Sequence, residues 1–151
     1  MRAFKSLATL FILLLSQAAW PAASMSEPTV DPELQKGQAL IEQQDWRAAV
    51  AVLDNYTHAH PTSADGFNLL GYGYRHLKRY DDALAAYEKA LALDPNHRGA
   101  HEYIGEAYLQ LGQLDKAREH LDALDRLCFF SCEEYRDLKR AYEAALRTSR
   151  R

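Results

Sequence analysis

One repeat spacing governs this chain. Within Ala64 to Pro95 the punctuation is Phe67, Leu70, Gly71, Tyr74, Ala83, Tyr87, Ala90 and Pro95, and a forward shift of 34 sets His101, Ile104, Gly105, Tyr108, Ala117, Leu121 and Leu124 on the first seven. Five or six of those seven positions keep their character. A backward shift sets Gly71 on Gly37, Tyr74 on Leu40, Ala83 on Ala49, Tyr87 on Leu53 and Pro95 on Pro61, while Phe67 and Leu70 fall on Glu33 and Lys36. Such a period belongs to chains built from stacked supersecondary units, none of which buries its apolar face alone. The first copy has lost its apolar start, as terminal copies do where one side meets water.

Each copy reads as two helices. Asp31 supplies a capping side chain and Pro32 tolerates the first helical position, so a helix is predicted from there to about Gln43. Its apolar positions are Leu34, Ala39, Leu40 and Ile41, with Gly37 where a second helix can come close. Asp45 is expected to cap the next helix, whose face of Trp46, Ala49, Val50, Leu53 and Tyr56 has the spacing of an amphipathic segment; Pro61 ends it. The one or two residues between these helices force an antiparallel hairpin.

The same event recurs twice. Thr62 or Ser63 opens a helix to about Leu77, Lys78-Arg79 turn the chain, and Tyr80 to Leu93 returns until Asp94-Pro95. After Asn96 and His97, helices are predicted over about Arg98 to Leu111 and Leu114 to Leu127, turned at Gly112-Gln113. Gly71, Gly105, Ala83 and Ala117 permit close approach, and Tyr74, Tyr87 and Tyr108 fill the gaps between hairpins. Ser131 and Glu134 have the Ser-x-x-Glu spacing of a capping box, which predicts a last helix with Tyr135, Leu138, Tyr142 and Leu146 on its apolar face. Arg136, Lys139, Arg140 and Glu143 fall largely on its other faces.

With these residues at this spacing, the segment from 30 to about 131 resembles the tetratricopeptide repeat family. The resemblance implies an all-α superhelix, a solenoid of three helical hairpins over residues 30–63, 64–97 and 98–131, closed by a cap helix and basic tail over 132–151. In that family the first helices line a concave groove that binds extended or helical peptides. The resemblance therefore sets Asn68, Tyr72, Arg75 and His76 of the second copy beside Glu102, Glu106, Leu109 and Gln110 of the third, with Gln38 and Ile41 extending the wall. The best known groove chemistry, a clamp of lysines and asparagines around a terminal carboxylate, is not matched, because two of the candidate positions are glutamates. Tyr72 among polar residues and two glutamates favours a polar or basic segment. The competing reading is that these are merely solvated helix positions.

The first residues follow another logic. Arg2 and Lys5 precede thirteen apolar-run residues, Leu7 to Ala19, then Trp20, Pro21 and small Ala22, Ala23 and Ser24. That is the layout of a cleavable secretory signal over residues 1–24, and it falls short of the roughly 20 residues that a membrane-crossing helix needs. Cleavage is expected between Ser24 and Met25, or after Ser26, leaving residues 25–30 as a flexible leader. A secreted or periplasmic protein follows, with no membrane association after cleavage. The chain carries 18 basic and 21 acidic residues, and loss of Arg2 and Lys5 takes its formal charge from −3 to −5. No basic stripe suits a phosphate backbone, so nucleic acid is excluded as a partner. The three arginines from Arg147 to Arg151 oppose the dipole of a helix end.

Cys128 and Cys132 are the only cysteines, in a CFFSC turn where Phe129 stands one period after Pro95. Four residues of helical rise span about 6 Å, within reach of a disulfide, which an oxidising compartment favours. Free thiols and a metal or redox role stay open, since Cys-x3-Cys pairs also serve as copper ligands in some extracytoplasmic chaperones of a different fold. His58 and His60 flank a helix end, and His97 and His101 stand four apart. A zinc site needs third and fourth ligands, so packing and loop roles account for them. The sequence has no Gly-rich phosphate loop, nucleophile elbow or supported Ser/His/Asp set. The reading is therefore a noncatalytic protein-interaction or scaffold module of the cell envelope, without metal or cofactor, holding a peptide or protein segment in its groove. The rivals are a thiol- or copper-handling accessory protein using Cys128 and Cys132, and a subunit that self-associates through an exposed repeat edge.

Overall fold

The turn inside each copy closes in the same way three times. In the computed structural model, which describes residues 31–149, Gln44, Lys78 and Gly112 recur at the repeat period and carry left-handed φ values of 59°, 61° and 72°. The amide of each donates three residues back, and the next amide donates five back. The pairs are Gln44 to Ile41 and Asp45 to Leu40, Lys78 to Arg75 and Arg79 to Tyr74, Gly112 to Leu109 and Gln113 to Tyr108, all between 2.8 and 3.1 Å. These bonds satisfy carbonyls that a helix end leaves open. Only the third copy uses glycine.

Seven helices result among the described residues: α1 (Pro32–Glu42), α2 (Trp46–Ala59), α3 (Ala64–His76), α4 (Tyr80–Leu93), α5 (Arg98–Gln110), α6 (Leu114–Leu127) and α7 (Glu133–Ser149). The expected caps form. Asp31 Oδ1 accepts from the Glu33 amide at 2.8 Å, Asp45 Oδ1 from Ala48 at 3.2 Å and Ser63 Oγ from Gly66 at 3.1 Å. His97, one period after Ser63, caps α5 by accepting from the Ala100 amide at 3.1 Å. Its Nε2 lies 3.0 Å from Asp65 Oδ1, so a histidine that read as linker joins two repeats.

Each helix packs on the next, and α1, α3, α5 and α7 pack in series, which makes three hairpins and a seventh helix stacked as an all-α superhelix. Leu34, Ala49, Val50, Leu53, Tyr56, Leu70 and Ala86 form the first buried cluster, and Ala83, Tyr87, Ile104, Ala107, Tyr108 and Ala117 the second. Side chains enter the glycine notches. A Cβ on Gly71 would lie 2.7 Å from Tyr87 Cε1 and 3.1 Å from the Ala83 carbonyl oxygen.

α7 packs on α5 and α6 and closes a third cluster of Leu121, Leu124 and the fully buried Leu138. It keeps the period. Leu70, Ile104 and Leu138 recur in phase, as do Tyr74, Tyr108 and Tyr142, so α7 sits as the first helix of a fourth unit. Its start corrects the expected capping box: the Arg136 amide donates to the Cys132 carbonyl at 3.2 Å, so Cys132 holds the helix mouth. Ser131, one residue earlier, is in left-handed backbone with φ 66°. The predicted signal segment, the leader to residue 30 and the last two arginines lie outside the described residues. No described helix is long and apolar enough to cross a membrane.

Candidate functional site

The groove wall is made by α3, α5 and α7, and a buried charge stands at its centre. Arg75, 8% exposed, reaches from α3 to α5, where its Nη2 lies 2.9 Å from Glu106 Oε2. Its guanidinium also lies over two rings, 5.1 Å from the centroid of Tyr72 and 5.7 Å from that of Tyr103. The rings approach each other at 4.7 Å. A guanidinium taken from water requires such partners. Arg75 is thus engaged by its own fold, while Tyr72 and Tyr103 stay half-buried beside it.

Towards the carboxyl end of α3, His76 stacks on Trp46 of α2 with centroids 3.9 Å apart and lies 4.5 Å from Tyr72. Burial, then the nearby Arg75, lowers the His76 pKa. On the far side of the ion pair, Leu109 and Gln110 line a 230 Å³ recess with Arg75, Glu106 and Ala141 of α7.

Towards the amino ends of α5 and α7 the groove deepens into a 330 Å³ cavity lined by Asn68, Gly99, Glu102, Tyr103, Glu133, Glu134 and Asp137. Four carboxylates and no cation are in that lining. Glu134 is 3.6 Å from Arg98, and Asp137 pairs with Arg140. Glu102 is pushed up to about 8, first by burial and then by Glu106, Asp137 and Glu134, against which Arg75 acts in the opposite direction. Burial and then Glu102 push Tyr103 up to about 12. Asn68 is 7% exposed, and its buried Oδ1 has no hydrogen-bond partner among the described residues.

Of the residues expected in the groove, Asn68, Tyr72, Arg75, Glu102 and Glu106 come together, and His76 and Leu109 flank them. Trp46, Tyr103, Glu133, Glu134 and Asp137 were missed. A signal was available for two of them: Glu133 and Asp137 stand one period after Gly99 and Tyr103. Elsewhere, Cys128 and Cys132 are joined as a disulfide with Cα atoms 5.4 Å apart. Phe129 and Phe130 between them are 91% and 88% exposed. Among the described residues no three His, Cys, Asp or Glu side chains gather to hold a metal ion. His101 and His120 form a pair instead, Nδ1 to Nδ1 at 3.0 Å, with His101 Nε2 donating to the Pro95 carbonyl at 3.0 Å.

Two models of one family, described as tetratricopeptide repeat, match residues 34–97 and 74–145. The chain belongs to the tetratricopeptide repeat family. This repeat protein is 33% identical over 84 residues to Protein bimA of Emericella nidulans, covering 56% of its own length and 10% of that relative. It therefore spans about a tenth of the curated relative. Among solved structures it is similar to the type III secretion translocator chaperone SycD of Yersinia enterocolitica, with TM-score 0.71 and 17% identity over 79% of this chain and 84% of that one. The TPR2B domain of yeast Sti1, in a complex with pHsp70, gives TM-score 0.70 and 21% identity over 78% and 99%. The first repeat domain of Spaghetti (RPAP3), bound to the HSP90 peptide SRMEEVD, gives 0.67 and 20% over 76% and 90%. These likenesses describe the fold.

Proposed function

We propose that this repeat protein is a noncatalytic interaction module of the cell envelope that holds a polar or basic segment of another protein in the groove of α3, α5 and α7. The observation that carries the reading is the composition of that groove: half-buried Tyr72 and Tyr103 beside a cavity whose lining has four carboxylates and no cation. Aromatic rings supply contact area at small entropic cost, and the carboxylates set the sign of the partner. Similarly folded domains hold protein segments, one of them the peptide SRMEEVD with three acidic residues. The groove here has the opposite charge preference.

Placement in the envelope is supported by the signal-like segment with its apolar run Leu7 to Ala19 and by the Cys128–Cys132 disulfide, which an oxidising compartment maintains. The test is a photocrosslinker at position 72 in the producing cell, with the exposed position 89 of α4 as control. Capture of an exported protein from position 72 and not from 89 is the expected result. Equal capture from both, or none from 72, sinks the reading.

A further inference from the structure

Resting on the groove reading, we infer that the cavity between the amino ends of α5 and α7 is a seat for one basic side chain, lysine or arginine, of the bound segment. Its lining is dominated by acceptors, the carboxyl groups of Glu102, Glu133, Glu134 and Asp137. Asn68, in the same lining, carries a buried carboxamide oxygen without a donor among the described residues. A buried acceptor left unpaired costs free energy that a ligand donor recovers. The amide end of Asn68 lies at the cavity edge, its Nδ2 3.3 Å from where a Cβ on Gly99 would stand. Glycine at 99 keeps that edge open.

The occupant must therefore be a donor and a cation. A metal ion needs its ligands gathered within about 2.0–2.6 Å of one point, and no such group exists among the described residues. Acceptors spread around 330 Å³ suit the fanned N–H groups at the end of a long side chain. The Tyr103 ring in the lining adds an aromatic surface for the same cation.

Arg75 from α3, Glu106, Arg98 and Tyr103 from α5, and Glu133, Glu134, Asp137 and its partner Arg140 from α7 are the charged and titratable groups around Glu102. With its carboxyl pushed up to about 8, Glu102 is protonated at neutral pH in the empty cavity. An arriving ammonium favours the carboxylate, so a proton leaves to solvent as the cation enters.

The test uses the protein as recovered from cells, titrated with the pentapeptide acetyl-Gly-Gly-Lys-Gly-Gly-amide, its arginine and norleucine counterparts, and calcium or magnesium chloride. The lysine and arginine peptides should bind at least about tenfold more tightly than the norleucine one. Affinity should rise by up to about tenfold per pH unit towards pH 8 and then level while the lysine stays charged. Glu102→Gln should weaken binding about tenfold and flatten that rise, and Asn68→Ala should weaken binding while keeping it. Equal binding of the lysine and norleucine peptides, unchanged binding to Glu102→Gln, or calcium displacing the lysine peptide at equimolar concentration each overturns the assignment. Crosslinking from position 72 is repeated in Glu102→Gln. Equal partner retention sinks the seat and leaves the groove standing; lysine-peptide binding without any capture does the reverse.

Discussion

Arg75 Nη2 lies 2.9 Å from Glu106 Oε2 and ties α3 to α5 across the groove floor. Removing one member of a buried pair leaves the other charge uncompensated, whereas replacing both by apolar groups is often neutral. Glu106→Gln is expected to cost about 2–3 kcal/mol, less than a fully buried pair because Glu106 keeps contact with water. The Arg75→Met/Glu106→Leu double variant should cost less than Glu106→Gln alone. Urea denaturation of the three proteins decides it; a single variant within about 0.5 kcal/mol of wild type marks the pair as solvated.

Gly71 sits where any side chain meets Tyr87. Alanine is the better helix former by about 1 kcal/mol, but its Cβ would lie 2.7 Å from the Tyr87 ring and 3.1 Å from a backbone oxygen. Overpacking of this kind costs about 1–3 kcal/mol, so Gly71→Ala should lower stability and Gly71→Leu should lower it further. A thermal melt by circular dichroism with no shift for either would remove the glycine from a helix contact.

The three left-handed turn residues make a matched set. Lys78 occupies at φ 61° a conformation that Gly112 adopts at φ 72° with open space around it. Left-handed backbone costs a non-glycine residue about 1–2 kcal/mol, and glycine's greater freedom when unfolded offsets part of the gain. Lys78→Gly should stabilise by about 0.5–1 kcal/mol and Gly112→Ala should destabilise by about 1 kcal/mol. Both variants losing stability would disprove the shared turn geometry.

The melting temperature should fall on both sides of a plateau. His120 is lowered from 6.5 to about 4, by burial and then by His101, so its contribution to stability is full above 6.5 and disappears as pH falls towards 4. Glu102 is raised from 4.5 to about 8, so stability is unaffected below 4.5 and declines as pH rises towards 8. Glu102→Gln should raise the melting temperature more at pH 9 than at pH 5, and His120→Gln should raise it, relative to wild type, more at pH 4.5 than at pH 7. Parallel curves for wild type and variant would refute the corresponding shift.

The Cys128–Cys132 bridge spans only the turn into α7, and a short closed loop gives little entropic stabilisation. Reduction should therefore move the midpoint for unfolding of the whole chain only slightly. Intact mass with and without alkylation should show no free thiol in protein taken from the export compartment, and a mass that begins at Met25. Two alkylated cysteines, or an intact Met1, would contradict the envelope assignment.

The repeat fold was readable because packing restates itself once per period: Gly71 predicts Gly105, and Tyr74 predicts Tyr108. The site was readable only in part. Asn68, Tyr72 and Glu102 follow from the face that a first helix presents, but Asp137 and Glu134 belong to a helix that reads as a cap, and a cap has no groove face. Its phase with Leu70 and Ile104 makes it a first helix, and that carries its carboxylates into the cavity. The ion pair of Arg75 with Glu106 was out of reach for a different reason. Sequence spacing places both on the groove, but which charges neutralise each other depends on side-chain reach between helices.

The packing of α7 has a thermodynamic consequence. Among the described residues α3 and α5 are braced on both sides by neighbouring units, while α7 leans on α5 and α6 alone. Local opening is easiest where the fewest apolar contacts must be broken. The acidic cavity thus has one fixed wall and one hinged by local unfolding. Whatever settles there suppresses the opening of α7, so occupancy is felt as resistance to proteolysis and slowed amide exchange along the carboxyl-terminal end of the chain.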